Sequence, residues 1–335
     1  MIRHAGSGRL VRERKKNGAA LTARVASRFL GGRALLLLII GLFIALSLSS
    51  NAFLTPRNLL NMAEQNAPLA IIAAAGTMVI ISGGFDISVG AVFVLAGVIA
   101  ARVANATSPF IGILTAVLSG TFIGTLNGSI VAVVGVNSLI TTLATGILVR
   151  GIAILLTHGY IITVAQPDFA ILGTAEFLHI RYSIWTAMAF VGAAALLLHA
   201  SIFGRYLFAI GSNQTAAIIA GVRVGLTRTI AFAISGASAA LAGTIVASNL
   251  ASGQPGIGTG LEFSVLTAII VGGTSIAGGD GAIWRTLAGV VLLALIDNGV
   301  ILLGFDPIYV QIIQGAIILA AVCIDTYSRH THQPR

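Results

Sequence analysis

The absence of formal charge over long stretches constrains this chain more than any other feature. No Asp, Glu, Lys or Arg occurs in residues 34–56, 65–85, 182–204, 229–261 or 307–324, and the charge-free stretch 103–149 is long enough to hold two such segments. About 20 consecutive apolar residues cross the hydrocarbon core of a bilayer as a helix, so each window reads as a transmembrane helix. Shorter apolar runs at 87–101, 151–167, 263–279 and 286–296 extend past a flanking charge. The expectation is an all-α polytopic membrane protein of about ten transmembrane helices joined by short loops. Only 9% of residues are charged, against roughly 25% in soluble domains, which excludes a water-soluble fold.

The charges that do occur are unevenly placed. Residues 1–33 hold nine of the 19 Lys and Arg, including Arg12, Arg14, Lys15 and Lys16, with Glu13 as the one acid. A basic segment beside a first span is a topology signal drawn to anionic lipid. A signal peptide would have a shorter n-region and a cleavage site, and a nucleic-acid arm is the other competing reading. Ten alternating spans from a cytosolic N-terminus put fifteen positive residues inside and four outside: Arg57, Arg102, Arg150 and Arg181. That asymmetry satisfies the positive-inside rule. Both termini are thus expected in the cytosol, with a basic tail over 1–33, a transmembrane body over 34–325 and a short tail over 326–335. The single cysteine, Cys323, excludes an internal disulfide framework and a cysteine-based metal site.

Two glycine-flanked interruptions stand out inside the apolar pattern. GGFDISVG (83–90) aligns without gaps with GGTSIAGG (272–279), and each leads toward an LAG, at 95–97 and 287–289. The chain therefore reads as internally duplicated, with helices broken at corresponding points, a pattern known from transporters. Gly83 and Gly84, like Gly272 and Gly273, suit the left-handed backbone that ends a helix; Asp86 or Ser88 suits the cap of the next one, ahead of Gly90. An Asp facing lipid at mid-span costs about 2.5–3.5 kcal/mol, so Asp86 must face protein, a water-filled path or the membrane surface. Two roles stay open for it: capping the break, or touching a permeating solute. Asp297 and Asn298, inside the apolar run 286–303, pose the same alternative.

The remaining polar features mostly fit packing. Gly120, Gly124 and Gly128 fall on one helix face at the small-xxx-small spacing, and Asn127 beside them can hydrogen-bond to another helix. His158, His179 and His199 have no ligand-like spacing, so no metal site is expected. Residues 158–182 form the longest external loop. Residues 204–228, GRYLFAIGSNQTAAIIAGVRVGLTR, are too polar for a span but hold a short helical pattern at 214–220, a handle for a soluble partner.

AIGSNQTAAIIAGVRV resembles the coupling loop of permease subunits of ABC importers, in which an AAxxxG helix fits a groove in the ATPase. Ala216, Ala217 and Gly221 match that spacing, within a loop that also contains Gly211 and Asn213; Gln214 or Thr215 stands where many importers have an acid. The stretches FLTPRNLLNMAEQNAPLAIIAAAGTMVIISGGFDISVGAVFVLAG, LNGSIVAVVGVNSLITTLATGILVRG and ASGQPGIGTGLEFSVLTAIIVGGTSIAGGDGAIWRTLAG, with DNGVILLG, are similar to ribose/galactose-type permeases over about residues 53–325. VNSLI departs from a segment that commonly contains proline there. The resemblance implies a bacterial inner-membrane permease for a monosaccharide such as ribose, xylose or galactose. It implies as partners a cytosolic ABC ATPase subunit, a periplasmic or lipid-anchored sugar-binding protein and a second permease copy in a homodimer. No P-loop GxxxxGK[ST] occurs, so ATP would be used by the partner subunit, and neither a cofactor bound by this chain nor catalysis is expected. The rival reading is an ion-coupled secondary transporter, with Asp86 and Asp297 as coupling groups. An intramembrane aspartyl protease fails because AGGD (277–280) lacks the first glycine of GxGD and no Tyr-Asp partner exists.

Overall fold

The computed structural model describes residues 35–306, 308–317 and 319. The expected tails at 1–33 and 326–335, and Cys323, lie outside the described residues. In chain order the helices are α1 (Leu35–Ser49), α2 (Pro56–Ile81), α3 (Val89–Ala106), α4 (Pro109–Ser129, prolonged by a π turn at Ile130–Val134) and α5 (Ser138–Thr157). They continue with the single turn α6 (Ile171–Thr174), α7 (Tyr182–Ala200), α8 (Ile202–Ser212), α9 (Gln214–Ile219), α10 (Val224–Asn249), α11 (Leu261–Val271), α12 (Ile283–Leu302) and α13 (Ile308–Ile317). Among the described residues seven helices are long and apolar enough to cross a bilayer, and α1, α11 and α13 are shorter apolar helices. The protein is an all-α polytopic membrane protein.

Two expected boundaries move. The run 151–167 is not a separate helix, because its first part completes α5 and His158, at φ 50, ends it in the left-handed conformation. The window 229–261 is not one helix either. Hydropathy alone does not distinguish the uncharged, Gly- and Pro-containing stretch 250–260 from helix; in the structure α10 stops at Asn249 and this stretch runs non-helical. Arg150 is likewise not in an external loop: it lies within α5, seven residues before the last one.

Four two-residue strands tie the loops at one end of the bundle. β1 (Ile162–Thr163) pairs antiparallel with β4 (Ser252–Gly253), and β2 (Glu176–Phe177) with β3 (Ile180–Arg181). The loop expected at 158–182 is therefore a small folded cap. Arg181 completes it by pairing with Glu64 of α2 at 2.5 Å, and Asn249 donates to the same carboxylate oxygen at 2.7 Å.

The helices form a core and a shell. In their most apolar 18-residue stretches, α2, α3 and α10 bury 78%, 72% and 67% of residues, whereas α4, α5 and α7 each bury 22%. Core sequences such as IIAAAG in α2 and SGASAALAG in α10 are rich in small residues, which lets backbones approach closely where apolar lipid gives no hydrophobic drive to associate. The α4 stripe shows this directly. A Cβ on Gly120 would lie 2.5 Å from the Gly236 carbonyl oxygen, and one on Gly124 would lie 2.2 Å from the Phe232 carbonyl oxygen. Shell side chains such as Leu118, Phe122, Leu155 and Leu196 are exposed, forming the apolar surface that faces lipid or a neighbouring chain.

Candidate functional site

Both breaks end their helices in one way. The N–H of Gly83 (φ 81) donates to Ile80 O at 2.9 Å and that of Gly84 to Val79 O at 3.1 Å. The N–H of Gly273 (φ 88) donates to Ile270 O at 2.8 Å and that of Thr274 to Ile269 O at 3.2 Å. These are paired C-terminal caps built on a left-handed glycine. They also correct the gapless alignment by one residue: Gly83 corresponds to Gly273, whereas Gly272 still has helical backbone and packs against the Arg285 carbonyl.

After Gly84, which lies against the Phe232 ring, the chain turns back into the bundle beside α5. Unwound backbone needs partners in a medium without water, and α5 supplies them. The Phe85 N–H donates to Ser138 Oγ at 3.0 Å, and the Ile87 N–H to Thr142 Oγ1 at 3.1 Å. Asp86 is 7% exposed. Its Oδ1 accepts from the backbone N–H of Ser88 at 3.1 Å and from Ser88 Oγ at 2.5 Å, while Oδ2 accepts from Ser235 Oγ of α10 at 2.8 Å. Asn127 Nδ2 of α4 donates to Ser88 Oγ at 3.0 Å, and Asn127 Oδ1 accepts from Thr145 Oγ1 of α5 at 2.7 Å. A continuous polar chain thus joins α5, α4, the start of α3, the break and α10. Both Asp86 oxygens are engaged by protein donors, so the geometry favours bracing over solute contact.

The segment α8–α9 rests directly on this region. A Cβ on Gly211 would sit 1.9 Å from the Ile81 carbonyl oxygen and 2.4 Å from the Gly279 nitrogen, and the Gly279 N–H donates to that same oxygen at 2.9 Å. One helix end is therefore wedged between the end of α2 and the second break. Arg228, near the start of α10, donates from Nε and Nη2 to Ser82 O at 3.1 and 2.9 Å. Asn213 caps α9 by accepting from the Ala216 N–H at 3.0 Å, and Gly221 closes it by donating to Ile218 O at 2.9 Å. Ala217 is buried within its own chain beside Ile210 and Val224. Ala216, Ile218 and Ile219 are instead the exposed face of α9, with Ile219 82% exposed.

The structure brings Gly83, Gly84, Asp86, Ser88 and Asn127 together, and separates Asp297 and Asn298 from them. Asn298 exchanges two amide hydrogen bonds with Asn58 at the start of α2, at 3.1 and 2.9 Å, and Asp297 Oδ1 is buried without a hydrogen-bond partner. Gly90, in the first turn of α3, is covered by the Glu262 carboxylate. Sequence reading missed Ser138, Thr142, Thr145 and Ser235, which look like any small polar residue in an apolar helix. Arg228 and Glu262 were visible as charges bounding the window 229–261.

Residues 58–322 match the family described as branched-chain amino acid transport system / permease component. The chain is 38% identical over 254 residues to the ribose import permease protein RbsC of Haemophilus influenzae, covering 74% of this chain and 79% of that protein. It is 35% identical over 236 residues to the L-arabinose ABC transporter permease protein AraH of Azospirillum brasilense, covering 70% of each. RbsC of Bacillus subtilis is 36% identical over 244 residues, 71% of this chain and 76% of the relative. No solved structure matches the chain.

Proposed function

The chain belongs to this permease-component family, and from that premise we propose that it is the membrane subunit of a monosaccharide ABC importer working as a homodimer. A separate cytosolic ATPase docks on the exposed face of α9, and a sugar-binding protein delivers a ribose- or arabinose-like solute to the end that carries the β2–β3 hairpin. This chain does no chemistry and binds no cofactor; both termini lie in the cytosol. The observation that carries the reading is the wedge of Gly211 against Ile81 and Gly279. A displacement of α9 passes through α8 onto backbone, with no flexible side chain between, and so biases two packings of the bundle that differ by a few kcal/mol.

Uptake of labelled ribose and of labelled arabinose, in cells expressing the whole importer, tests the reading. Uptake should survive collapse of the proton and sodium gradients and stop on ATP depletion; the reverse result would establish an ion-coupled carrier. Ile219→Asp should abolish copurification of the ATPase while leaving the permease folded. Unchanged copurification would move the docking face elsewhere.

A further inference from the structure

The helix α11 has 11 residues, about 16 Å at 1.5 Å per residue, half of a hydrocarbon core about 30 Å thick. The connector ahead of it supplies the other half of the crossing. Gly253 lies against Val98 and Ala101, Gly258 against Phe93, and Glu262 against Gly90. Residues 253–262 therefore descend antiparallel to α3 over about 16 Å. From the opposite end, the first break climbs until Asp86 reaches Ser235, the twelfth residue of α10 and about 16 Å from its start. The N-terminal ends of α3 and α11 consequently meet in the middle of the bundle.

Around that meeting point lies a strip of polar side chains that the single chain leaves partly open. Arg150, about 18 Å along α5, donates from Nη1 to Thr259 Oγ1 at 3.2 Å. One turn into α11, Ser264 Oγ donates to Gln314 Oε1 of α13 at 3.1 Å. Between them Glu262 has Oε2 buried against Gly90 without a hydrogen-bond partner. Thr259 is exposed, and Arg150, Glu262, Ser264 and Gln314 are partly so. An Arg or a Glu facing lipid at this depth costs about 2.5–3.5 kcal/mol each, and intramembrane charges face a bundle interior or a water-filled cavity. The shell helices elsewhere show what a lipid face looks like: Leu118 and Phe122 on α4, Leu196 on α7.

We infer that this strip is the wall of the solute path, closed on its far side by a second copy of the chain, and that Glu262 accepts hydrogen bonds from, and Arg150 donates them to, hydroxyl groups of a neutral polyol passing along it. The inference rests on the reading of the chain as one of two copies around a path, and adds which surface faces the solute. A carboxylate that accepts and a guanidinium that donates along one wall match hydroxyls, each of which both donates and accepts.

Water-dependent labelling tests it in the assembled importer. In a Cys323→Ser background, Glu262→Cys, Ser264→Cys and Gln314→Cys are exposed to a charged methanethiosulfonate with and without ATP, beside Leu118→Cys and Leu196→Cys. The first three should react at least tenfold faster than the last two in one of the two states, because a thiol in lipid neither ionises nor meets the reagent. Equally slow labelling at all five positions overturns the assignment, and three strip positions keep the test decisive if one variant fails to fold. Ribose and arabinose uptake by the unsubstituted importer is measured separately. Absence of both there would overturn the reading of a ribose- or arabinose-like solute, while the labelling pattern would still decide the wall.

Discussion

The two breaks start alike and are held differently. At residues 82–88 the carboxylate, hydroxyls and free backbone N–H groups find donors and acceptors on α4, α5 and α10. At residues 272–282 the chain is rich in glycine and the Thr274 hydroxyl is buried without a partner. The first break is thus a brace that ties four helices together, and the contrast predicts a more compliant joint at the second; Gly211 presses on both.

The largest test of this contrast is Asp86→Leu. It leaves the donors of Ser88 and Ser235 buried without an acceptor, and the expected loss of stability is about 3 kcal/mol or more, read as a fall in unfolding midpoint and in recovered complex. Asp86→Asn keeps the shape and part of the hydrogen bonding and should cost about half as much. Any Asp86→Leu complex that does assemble should transport the same sugar as the parent. A stable complex with changed sugar preference would turn the brace into a solute contact.

Next in size is Gly211→Val. The new Cβ meets main-chain atoms of Ile81 and Gly279, which cannot swing aside, so the end of α8 must move away from both breaks. Uptake should fall about tenfold, equivalent to about 1.4 kcal/mol, while ATPase copurification persists. Unchanged uptake would mean that force enters the bundle elsewhere, for example through Arg228 and Ser82.

How much of this was legible in the sequence depends on range. Helices α1, α2, α4, α5, α7 and α10 follow from charge-free windows because the bilayer imposes length directly, and α12 from an apolar run that extends past its flanking charges. The cap at Gly83 was legible because a left-handed backbone selects glycine locally; its counterpart at Gly273 was found one residue off, since GG offers two candidates and only the hydrogen bonds choose. The connector 250–260 was hidden because a hydropathy window does not separate an uncharged, glycine-containing connector from helix. Asn127 was expected to join helices, but its partners Ser88 and Thr145 lie on other elements. The Gly211 contact with Ile81 is tertiary, and nothing in either residue's surroundings announces it.

Smaller substitutions sharpen the comparison. Gly83→Ala and Gly273→Ala both force a side chain into the left-handed region, at about 1–2 kcal/mol in isolation. The braced site cannot relax and should show the larger drop in unfolding midpoint. The smallest effect, and the one that separates the breaks most cleanly, is Thr274→Val compared with Ser235→Ala. Ser235→Ala removes one of the hydrogen bonds to Asp86 and should cost about 1 kcal/mol. Thr274 is 3% exposed, and Val keeps its shape while deleting a hydroxyl that has no partner, so the change should be neutral or stabilising by up to about 1 kcal/mol. If Thr274→Val lowers the unfolding midpoint as far as Ser235→Ala does, the hydroxyl is held in solution by contacts equal to those at the first break, and the division into brace and joint fails.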